Sequence, residues 1–371
     1  PGRPRARGAP APLALRASTE GDTPYPSGAY DASSAASYFR ARPLAVPRRA
    51  LEILTASLPL FLSVWRDGLG GAEQALSLKE TLSRLGPTFV KVGQALSVRS
   101  DLLPPEHVAA LQELQQEVPP FDTQEALDVV RGDLGLTPEG LRGLFPTISP
   151  QPVAAASLGQ VYRAAFANGT EVALKVQRPG LDETIAADLH LLRELEPVLG
   201  RFPLFQGVGT YQSVVDGWGK GFVDELDYRR EAANSIRFAQ SMADRGLTNA
   251  ITAPEVYCGA SGRRVIATQW VDGSRLDQAE EADVGRLCAL ALNAYLTMML
   301  DSGTLHCDPH PGNMLRTKDG RLCILDWGLV LQVDSELQYS LVDYISHLIT
   351  KDAGAIPGDL VALGFVQEGR E

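Results

Sequence analysis

Apolar residues recur at helical spacing through the first third of the chain. From residue 48 to about residue 116 they return at three-, four- and seven-residue steps, with a break at Gly86–Pro87. This spacing predicts helices that each carry one apolar face. Two shorter helices are predicted over residues 122–134 and 137–144. Residues 1–42 are rich in Pro, Gly, Ser and Ala and show no lasting periodicity, which predicts a disordered segment.

Strand patterns follow this helical region. Residues 153–177 are predicted to form short strands, and the last of them alternates apolar and polar positions as a half-buried strand should. The pattern is helical again over 179–245 and returns to a strand over 264–270. After a linker at 271–273 the chain is mainly helical, except for one predicted hairpin over 314–324.

These shifts divide the chain into four predicted segments. They are a leader (1–42), a helical N-terminal extension (43–147), a small strand-containing lobe with a helical insertion (148–271), and a mainly helical lobe (272–371). The apolar run 287–300 is expected to be a buried helix of the last lobe. A ligand is expected in a cleft between the two lobes, because binding sites favour domain interfaces.

Composition narrows the class of protein. The chain has 371 residues, 44% hydrophobic and 21% charged, which is typical of a globular protein with a large core. Its formal net charge of −11 argues against nucleic acid as the main partner, because binding to phosphate backbones needs a basic face. Its four cysteines form no C-x-x-C pair, which indicates buried thiols in a reducing compartment. No run reaches the ~18 apolar residues that a membrane span requires.

The first residues have the composition of a targeting signal. Residues 1–19 contain Arg3, Arg5, Arg7 and Arg16, and no acidic residue precedes Glu20. This make-up is typical of an organelle transit peptide. The alternative interpretation is a disordered basic tail.

The predicted hairpin 314–324 lies between residues suited to phosphate chemistry. Asp308 precedes it, with Asn313 five residues later and Asp326 thirteen residues beyond that. A hairpin of this size would bring Asn313 and Asp326 side by side, where they could share a divalent cation, with Asp308 as a base or water-positioning group. The offsets match a phosphoryl-transfer site. The alternative is a polar turn followed by an ordinary hairpin.

A lysine and a loop in the small lobe fit the same chemistry. Lys175 ends the run Val-Ala-Leu-Lys on a predicted strand, where a lysine can reach nucleotide phosphates. The upstream loop keeps Gly159 and Val161 of the kinase pattern G-x-G-x-x-G-x-V, but Ala154 and Ala156 replace its first two glycines. Alanine restricts the backbone, so we expect a stiffer loop with an altered hold on phosphate. The alternative for Lys175 is a surface lysine on a strand.

An acidic helix and an earlier helix carry the remaining candidates. Glu231 is the candidate partner of Lys175, although the run 225–231 also fits a solvated acidic face. Lys91 and Gln94 lie about one turn apart on a helix, and by composition alone they are solvated surface residues.

Five stretches together resemble the UbiB/aarF-type atypical kinases, protein-kinase-like proteins linked to isoprenoid-quinone metabolism. The stretches are 85–94, 154–161, 172–175, 225–231, and 306–313 with 326–328. The resemblance runs from about residue 42 to the C-terminus. Residues 42–53 are similar to the plastid and cyanobacterial branch, in agreement with the transit-like leader.

The resemblance implies an α+β fold: a protein-kinase-like bilobal fold with a small β-containing N-lobe, a helical C-lobe, helical insertions and a family-specific helical N-terminal extension. It implies that Lys175, Glu231 and Asp308 are catalytic, with His306 as a structural histidine. It also implies magnesium ligands (Asn313, Asp326), nucleotide contacts (Ala154, Ala155, Ala156, Ser157, Gly159, Val161, Lys175, Val271) and a regulatory lid over the substrate cleft (Lys91, Gln94, Glu225, Asp227).

ATP or ADP with Mg²⁺ are the cofactors that the resemblance implies. The expected partners are a nucleotide, a prenyl lipid or quinone-biosynthesis enzymes, and the surface of a membrane or lipid droplet. The expected location is the chloroplast, at plastoglobules or thylakoids, with the mitochondrion as the alternative. The chain departs from the family in Trp327, which replaces Phe, and from ordinary kinases in His310, which replaces Lys.

Three functions compete at this point. The first is an ATP-dependent phosphotransferase or ATPase that supports prenylquinone metabolism. The second is a catalytically weak nucleotide-binding scaffold that organises a lipid-biosynthetic complex. The third is a small-molecule phosphotransferase of the aminoglycoside or choline kinase type, against which the Lys91–Gln94 helix and the 225–231 motif argue.

Overall fold

The computed structural model describes residues 23–68, 70–97, 103–115, 119–195, 211–278 and 281–366. It divides into two compact units, the first made of Pro1–Arg229 with Tyr257–Thr268 and the second of Arg230–Val256 with Gln269–Glu371. The predicted lobe boundary at 271/272 is therefore close to one division point. Residues 230–256, which the sequence pattern grouped with the small lobe, fall in the second unit, and apolar side chains of this stretch pack in its core.

The secondary structure mixes helices with short strands. The helices are α1 (Ala32–Arg40), α2 (Ala45–Asp67), α3 (Ala72–Leu85), α4 (Pro87–Leu96), α5 (Pro105–Gln112), α6 (Thr123–Leu134), α7 (Pro138–Leu144), α8 (Leu181–Glu194), α9 (Tyr211–Glu225), α10 (Tyr228–Asp244), α11 (Glu281–Leu300), α12 (Ser335–Thr350) and α13 (Ile356–Ala362). The strands are β1 (Thr147–Ile148), β2 (Ala154–Ala155), β3 (Gly159–Ala165), β4 (Glu171–Gln177), β5 (Ile251–Thr252), β6 (Val265–Gln269), β7 (Gly273–Arg275), β8 (Thr304–His306), β9 (Met314–Thr317), β10 (Leu322–Ile324) and β11 (Val330–Gln332).

The first unit is built on an antiparallel sheet with the strand order β1-β3-β4-β6, and β2 pairs with β3. Alternate residues of β4 (Val172, Leu174 and Val176) are fully buried, which confirms the predicted half-buried strand. They pack with Ala126 and Val130 of α6 in one apolar cluster. A period of two along β4 and a helical period along α6 thus produce one shared core.

A buried ion pair fastens the helical extension within this unit. Arg49 of α2 donates two hydrogen bonds to Asp188 of α8, from Nε to Oδ1 at 2.7 Å and from Nη2 to Oδ2 at 3.1 Å. Its Nη2 also donates to the carbonyl oxygen of Leu85, the last residue of α3. Burial raises the pKa of Asp188, and the hydrogen bonds from Arg49 oppose that rise. One arginine therefore joins three helices of the unit.

The predicted disordered leader was too long. Its first 22 residues lie outside the described residues, but Ala32–Arg40 form α1, which begins at an Asp31 cap whose side chain accepts a hydrogen bond from the Ser33 amide. Tyr25 and Phe39 are almost fully buried, in a cluster with Ala186 of α8. A few aromatic side chains were enough to order a segment whose average composition indicated disorder.

The second unit holds a four-stranded sheet in the order β5-β10-β9-β7 and a two-stranded sheet of β8 and β11. The hairpin β9–β10 and its turn confirm the sequence prediction, with Gly320 at φ 82° where a residue with a side chain would be strained. The apolar run 287–300 is only partly buried: Leu287 and Ala294 are inaccessible, whereas Leu292 is 61% exposed. The helix is therefore amphipathic, and the predicted buried helix is buried on one face only.

Among the described residues, no helix combines the length and the apolar content that a membrane crossing requires.

We predict that Arg49→Ala lowers the free energy of unfolding of the first unit by about 3–5 kcal/mol, because it leaves the Asp188 carboxylate buried without its cation. The neighbouring Arg48 is exposed, and Arg48→Ala should change stability by no more than about 0.5 kcal/mol. Thermal unfolding of the two variants beside the parent chain measures the difference. Equal losses from both would show that the ion pair does not anchor α2.

Candidate functional site

One end of the β9–β10 hairpin carries the predicted metal ligands. The last ladder pair is Met314 with Ile324, and beyond it the Leu325 amide donates a 2.8 Å hydrogen bond to the carbonyl oxygen of Asn313. Asn313 and Asp326 therefore leave the hairpin at the same end, as the spacing predicted. This placement follows from local chain geometry, since a short turn fixes the register of the two strands.

Asp308 and Asn313 are in direct contact. Nδ2 of Asn313 donates to Oδ2 of Asp308 at 2.9 Å, across the short 3-10 turn Pro311–Asn313. This contact orients the Asn313 amide and leaves its oxygen as the ligand atom, because the nitrogen is committed to the carboxylate. The Asp308 residue is exposed, so its carboxylate is open to solvent.

Asp326 is held by its own loop. Its Oδ1 accepts a 2.9 Å hydrogen bond from the Gly328 amide. A Cβ added at Gly328 would lie 3.2 Å from that same oxygen and 3.9 Å from Oε2 of Glu231. Glycine at this position thus lets the backbone approach the carboxylate closely. The buried Glu231 is also brought near the loop within this unit.

His306 connects the two acidic loops. It is buried, and its Nδ1 accepts a 3.2 Å hydrogen bond from the Asp308 amide while Nε2 lies 2.6 Å from the Asp326 carbonyl oxygen. Because Nδ1 accepts, the proton belongs on Nε2, which then donates to Asp326. A single neutral imidazole therefore fixes the backbone beside both carboxylates.

Tyr295 lies next to this histidine, with its hydroxyl 3.3 Å from Nδ1 of His306. Burial raises the pKa of Tyr295, and the negative charge of Asp308 raises it further.

Trp327 anchors the loop that carries Asp326 to the core of the second unit. Its ring is buried and lies 4.3 Å from the ring of Phe238 on α10, centroid to centroid. Nε1 donates to the Ile324 carbonyl oxygen at 3.0 Å, and Asn234 donates to the carbonyl oxygen of Trp327 at 3.0 Å. Trp327 thus packs in the core and also makes a hydrogen bond that a phenylalanine at this position would lack.

The donor atoms fit magnesium better than a softer metal. No cluster of three or more His, Cys, Asp or Glu side chains suited to a metal ion occurs in the part of the chain that the structure describes. The Asp326 carboxylate, the Asn313 amide oxygen and the neighbouring Asp308 carboxylate offer only oxygen atoms as ligands. Magnesium is commonly held by one or two carboxylates together with substrate phosphates and water. Asn313 and Asp326 would hold the ion in such a site.

His310 turns back onto its own loop. Its Nδ1 accepts a 3.0 Å hydrogen bond from the Gly312 amide, so it shapes the turn where ordinary kinases have a lysine. A Cβ at Gly312 would meet Nη2 of Arg275 at 2.6 Å. Arg275 of β7 therefore packs against this turn, a contact that nothing in the sequence pattern indicated.

Lys175 and the alanine-rich loop are neighbours in the first unit. Lys175 of β4 pairs with Val161 of β3, which in turn pairs with Ala154 of β2. Ala156 donates a 2.7 Å backbone hydrogen bond to Gly159 and closes a tight hairpin. The structure thus brings the predicted loop against the strand of the predicted lysine.

The loop does not need glycine at its first two positions. Among the described residues, Lys351 is the only non-glycine with a positive φ, so Ala154, Ala155, Ala156 and Ser157 all have backbone conformations ordinary for L-residues. Gly159 is different, because a Cβ there would lie 2.5 Å from the Val176 carbonyl oxygen. Gly159 is the one glycine of the kinase pattern that this chain keeps, and close packing against Val176 leaves no room for a side chain there.

Lys91 and Glu225 form an ion pair within the first unit, with side chains 22% and 9% exposed. This contact joins α4 to the end of α9. Gln94 instead donates to the Leu114 carbonyl oxygen at 3.2 Å, and Asp227 accepts from Nε of Arg229 at 2.7 Å. The four residues proposed for the lid therefore do not form one network, although Lys91 and Glu225 do meet.

Two predicted assignments involve both units. Lys175 belongs to the first unit, and Glu231 and Val271 belong to the second. The pairing of Lys175 with Glu231 and the nucleotide contact at Val271 stay predictions. Within the first unit, Nζ of Lys175 lies 5.1 Å from the ring centroid of Tyr228, close enough for a cation–π contact.

Residues that the sequence interpretation missed support the site from other elements. Asn234, Phe238 and Arg275 hold the two loops through contacts that depend on the folded chain. The strand pair β8–β11 was not predicted either, although it positions His306 opposite Val330. Both strands are three residues long, too short for a periodic signal.

The chain is similar to known proteins over most of its length. The ABC1 atypical kinase-like domain matches residues 113–358. The chain is 35% identical over 341 residues to the uncharacterized protein sll0005 of Synechocystis, covering 89% of this chain and 49% of that protein. It is 35% identical over 337 residues to ACTIVITY OF BC1 COMPLEX KINASE 3, chloroplastic, of Arabidopsis thaliana, covering 88% of this chain and 46% of that protein. The chain thus spans about half the length of these relatives.

A solved structure, the Rv3197–erythromycin complex from Mycobacterium tuberculosis, matches with a TM-score of 0.56 and 31% identity, covering 78% of this chain and 73% of that one. The match over most of the chain confirms the resemblance found in the motifs and the kinase-like α+β fold that it implied. The chain belongs to the ABC1 atypical kinase-like family.

Proposed function

We propose that this chain is an atypical kinase that uses Mg²⁺-ATP for phosphoryl transfer or ATP hydrolysis. The observation that carries the proposal is the link through His306, whose two ring nitrogens contact the backbone of Asp308 and of Asp326. Fixing a base and a metal ligand to one rigid ring is what positional catalysis of phosphoryl transfer requires.

Asp308 has the position of the general base. The hydrogen bond from Asn313 holds one carboxylate oxygen, and the exposure of the residue leaves the side chain open to an acceptor hydroxyl or a water molecule. Asp308 would orient that nucleophile and accept its proton. When bound, Mg²⁺ supplies neutralisation of the charge that develops on the phosphate oxygens.

Lys175 and the loop 154–161 would bind the nucleotide. A lysine on this strand offers a cation to the phosphates, and the tight turn closed by Ala156 and Gly159 presents backbone beside it. The absence of glycine at 154 and 156 predicts a narrower range of loop conformations than in a glycine-rich loop. We expect this stiffness to affect nucleotide exchange more than the chemical step.

The proposed setting is prenylquinone metabolism in the chloroplast, at plastoglobules or thylakoids. Five similar Arabidopsis thaliana proteins carry the word chloroplastic in their names. Lys91 and Glu225, two of the residues expected to form a lid, pair within the first unit, and a lid of this kind would disfavour a protein acceptor. The phosphoryl acceptor would then be a prenyl lipid or water.

We predict that Asp326→Asn lowers kcat for Mg²⁺-ATP turnover by at least about 100-fold, because it removes the charge that holds the metal. Asp319→Asn is the matched control, since Asp319 lies at the exposed turn of the same hairpin. Steady-state phosphate release, with and without quinone-precursor lipids, measures both variants. Unchanged turnover in Asp326→Asn would refute the proposed activity.

A second prediction concerns positioning through His306. His306→Phe leaves the Asp308 amide and the Asp326 carbonyl without their shared partner, and we expect kcat to fall by about 10- to 100-fold. ADP affinity should change much less, because the imidazole lies behind the loops. His347→Phe, which alters a histidine of α12, should keep parental turnover. A fall in ADP affinity that matched the fall in kcat would contradict a positioning role.

The second candidate function is a nucleotide-binding scaffold with little turnover. The observation in its favour is the ordinary backbone at Ala154 and Ala156, where kinases use glycine to follow phosphate closely. Calorimetric ADP binding together with turnover no higher than that of Asp308→Asn would establish this function. Turnover well above that variant would eliminate it.

A further inference from the structure

Two side chains join the alanine-rich loop, residues 154–161, to a segment much earlier in the chain. They belong to Gln160 of β3 and to Arg178, which directly follows β4. Both reach residues 119–121, which immediately precede the Asp122 cap of α6. All of these residues lie within the first unit.

Gln160 contacts the loop through its backbone and residues 119–121 through its side chain. It lies opposite Ala155 in the ladder of β2 and β3. Its Oε1 accepts a 3.1 Å hydrogen bond from the Phe121 amide, and its Nε2 donates to the Phe121 carbonyl oxygen at 3.2 Å. These two contacts fix the orientation of the amide group, because its oxygen only accepts and its nitrogen only donates. Gln160 is fully buried, so it could affect a nucleotide only by positioning the loop.

Arg178 makes the same connection from the end of β4. Its amide donates a 2.8 Å hydrogen bond to the carbonyl oxygen of Leu158, within the loop. Its Nη2 donates to the carbonyl oxygen of Pro119, also at 2.8 Å. The guanidinium carbon lies 5.0 Å from the centroid of the Phe121 ring, which is within range of a cation–π contact. The loop is thus attached to residues 119–121 at two points.

Residues 119–121 are themselves held by the core. The Phe121 side chain packs against the apolar cluster that α6 shares with the sheet. The next residue, Asp122, begins α6 by accepting hydrogen bonds from the amides of Gln124 and Glu125. The segment therefore cannot shift without disturbing the first turn of α6.

We propose that Gln160 and Arg178 are positioning residues, which hold the alanine-rich loop in one place and thereby slow the release of a bound nucleotide. This role depends on the nucleotide-binding function proposed for the loop. Alanine at 154 and 156 restricts the backbone of the loop, but it does not prevent the whole hairpin from moving as a rigid body. Attachment at both Ala155 and Leu158 restrains that movement as well.

The release of Mg²⁺-ADP measures this effect separately from turnover. A fluorescent ADP analogue bound to the full chain is displaced with excess ADP, and the dissociation rate constant is recorded. Gln160→Met keeps the length of the side chain but removes both hydrogen bonds to Phe121, and we expect dissociation about 10-fold faster. Arg178→Ala should accelerate dissociation by a similar factor. Arg178 is only half-buried, so this second variant disturbs folding less.

Gln74 of α3 provides a matched control for Gln160. It is also buried, its Oε1 accepts from the Gly70 amide at 3.1 Å, and its Nε2 donates to Oγ of Ser63 at 3.1 Å. Gln74→Met should lower the thermal unfolding temperature about as much as Gln160→Met does. It should leave ADP dissociation at the parental rate, because Gln74 does not contact the loop.

Arg163 of β3 provides the control for Arg178. It pairs with Glu171 towards the other end of the β3–β4 ladder, and both side chains are about half exposed. Arg163→Ala should therefore leave ADP dissociation unchanged.

A double variant tests whether the two side chains act together. Because both hold the same segment, Gln160→Met/Arg178→Ala should accelerate dissociation by less than the product of the two single effects. Hydrogen exchange in the absence of nucleotide should be faster over residues 154–161 in each single variant, and unchanged there in both controls.

The contrary results separate this role from the proposed function. Parental ADP dissociation in both Gln160→Met and Arg178→Ala would overturn the positioning role and leave the proposed function intact. Equal acceleration by Gln74→Met would reduce the effect to a general loss of stability, and fully multiplicative effects would show that the two side chains do not act through one segment. A parent chain that binds no Mg²⁺-ADP would refute the proposed function, and the positioning role with it.

Discussion

The site in the second unit depends on one buried imidazole. His306 accepts a hydrogen bond from the Asp308 amide and donates one to the Asp326 carbonyl, so its tautomer is determined by its two neighbours. A charged imidazole would lose the first of these contacts, because both nitrogens would then donate. The edge-to-face contact with Trp327, at 5.0 Å between centroids, fixes the ring plane as well. The position of two carboxylates thus follows from the protonation and packing of a residue that need not touch a substrate.

In the helical extension of the first unit, too, a few polar contacts fix the arrangement of several elements. Arg49 joins three helices, and Lys91 brings α4 to the end of α9 through Glu225. A buried arginine is stable only where carboxylate and carbonyl oxygens satisfy its donors, so this pair specifies one arrangement of helices. Apolar contacts alone, such as those among Leu82, Val90 and Leu111, would tolerate small rotations that the ion pair does not.

Local features of the site were predictable from the sequence, and contacts between distant segments were not. The offsets of Asp308, Asn313 and Asp326 around a short hairpin determine their neighbourhood, because a turn and a ladder leave little freedom. The pairing of β10 with β5 and of β9 with β7 depends on segments far apart in the chain, and neither β5 nor β7 was predicted. The helix α1 was missed because Ser and Ala dilute the signal of Tyr38 and Phe39. By composition alone Lys91 is a surface lysine, and its partner Glu225 lies more than 130 residues later in the chain, so only the resemblance to a family could indicate the contact.

The anchoring of α2 by Arg49 leaves large apolar side chains of that helix exposed, among them Leu51 (60%), Phe61 (65%) and Trp65 (78%). Contact between two copies through these side chains would lower their exposed apolar area, while the formal net charge of −11 on each copy makes them repel. Salt screens this repulsion and strengthens apolar association relative to it. Higher ionic strength would therefore shift the protein from separate chains towards self-association.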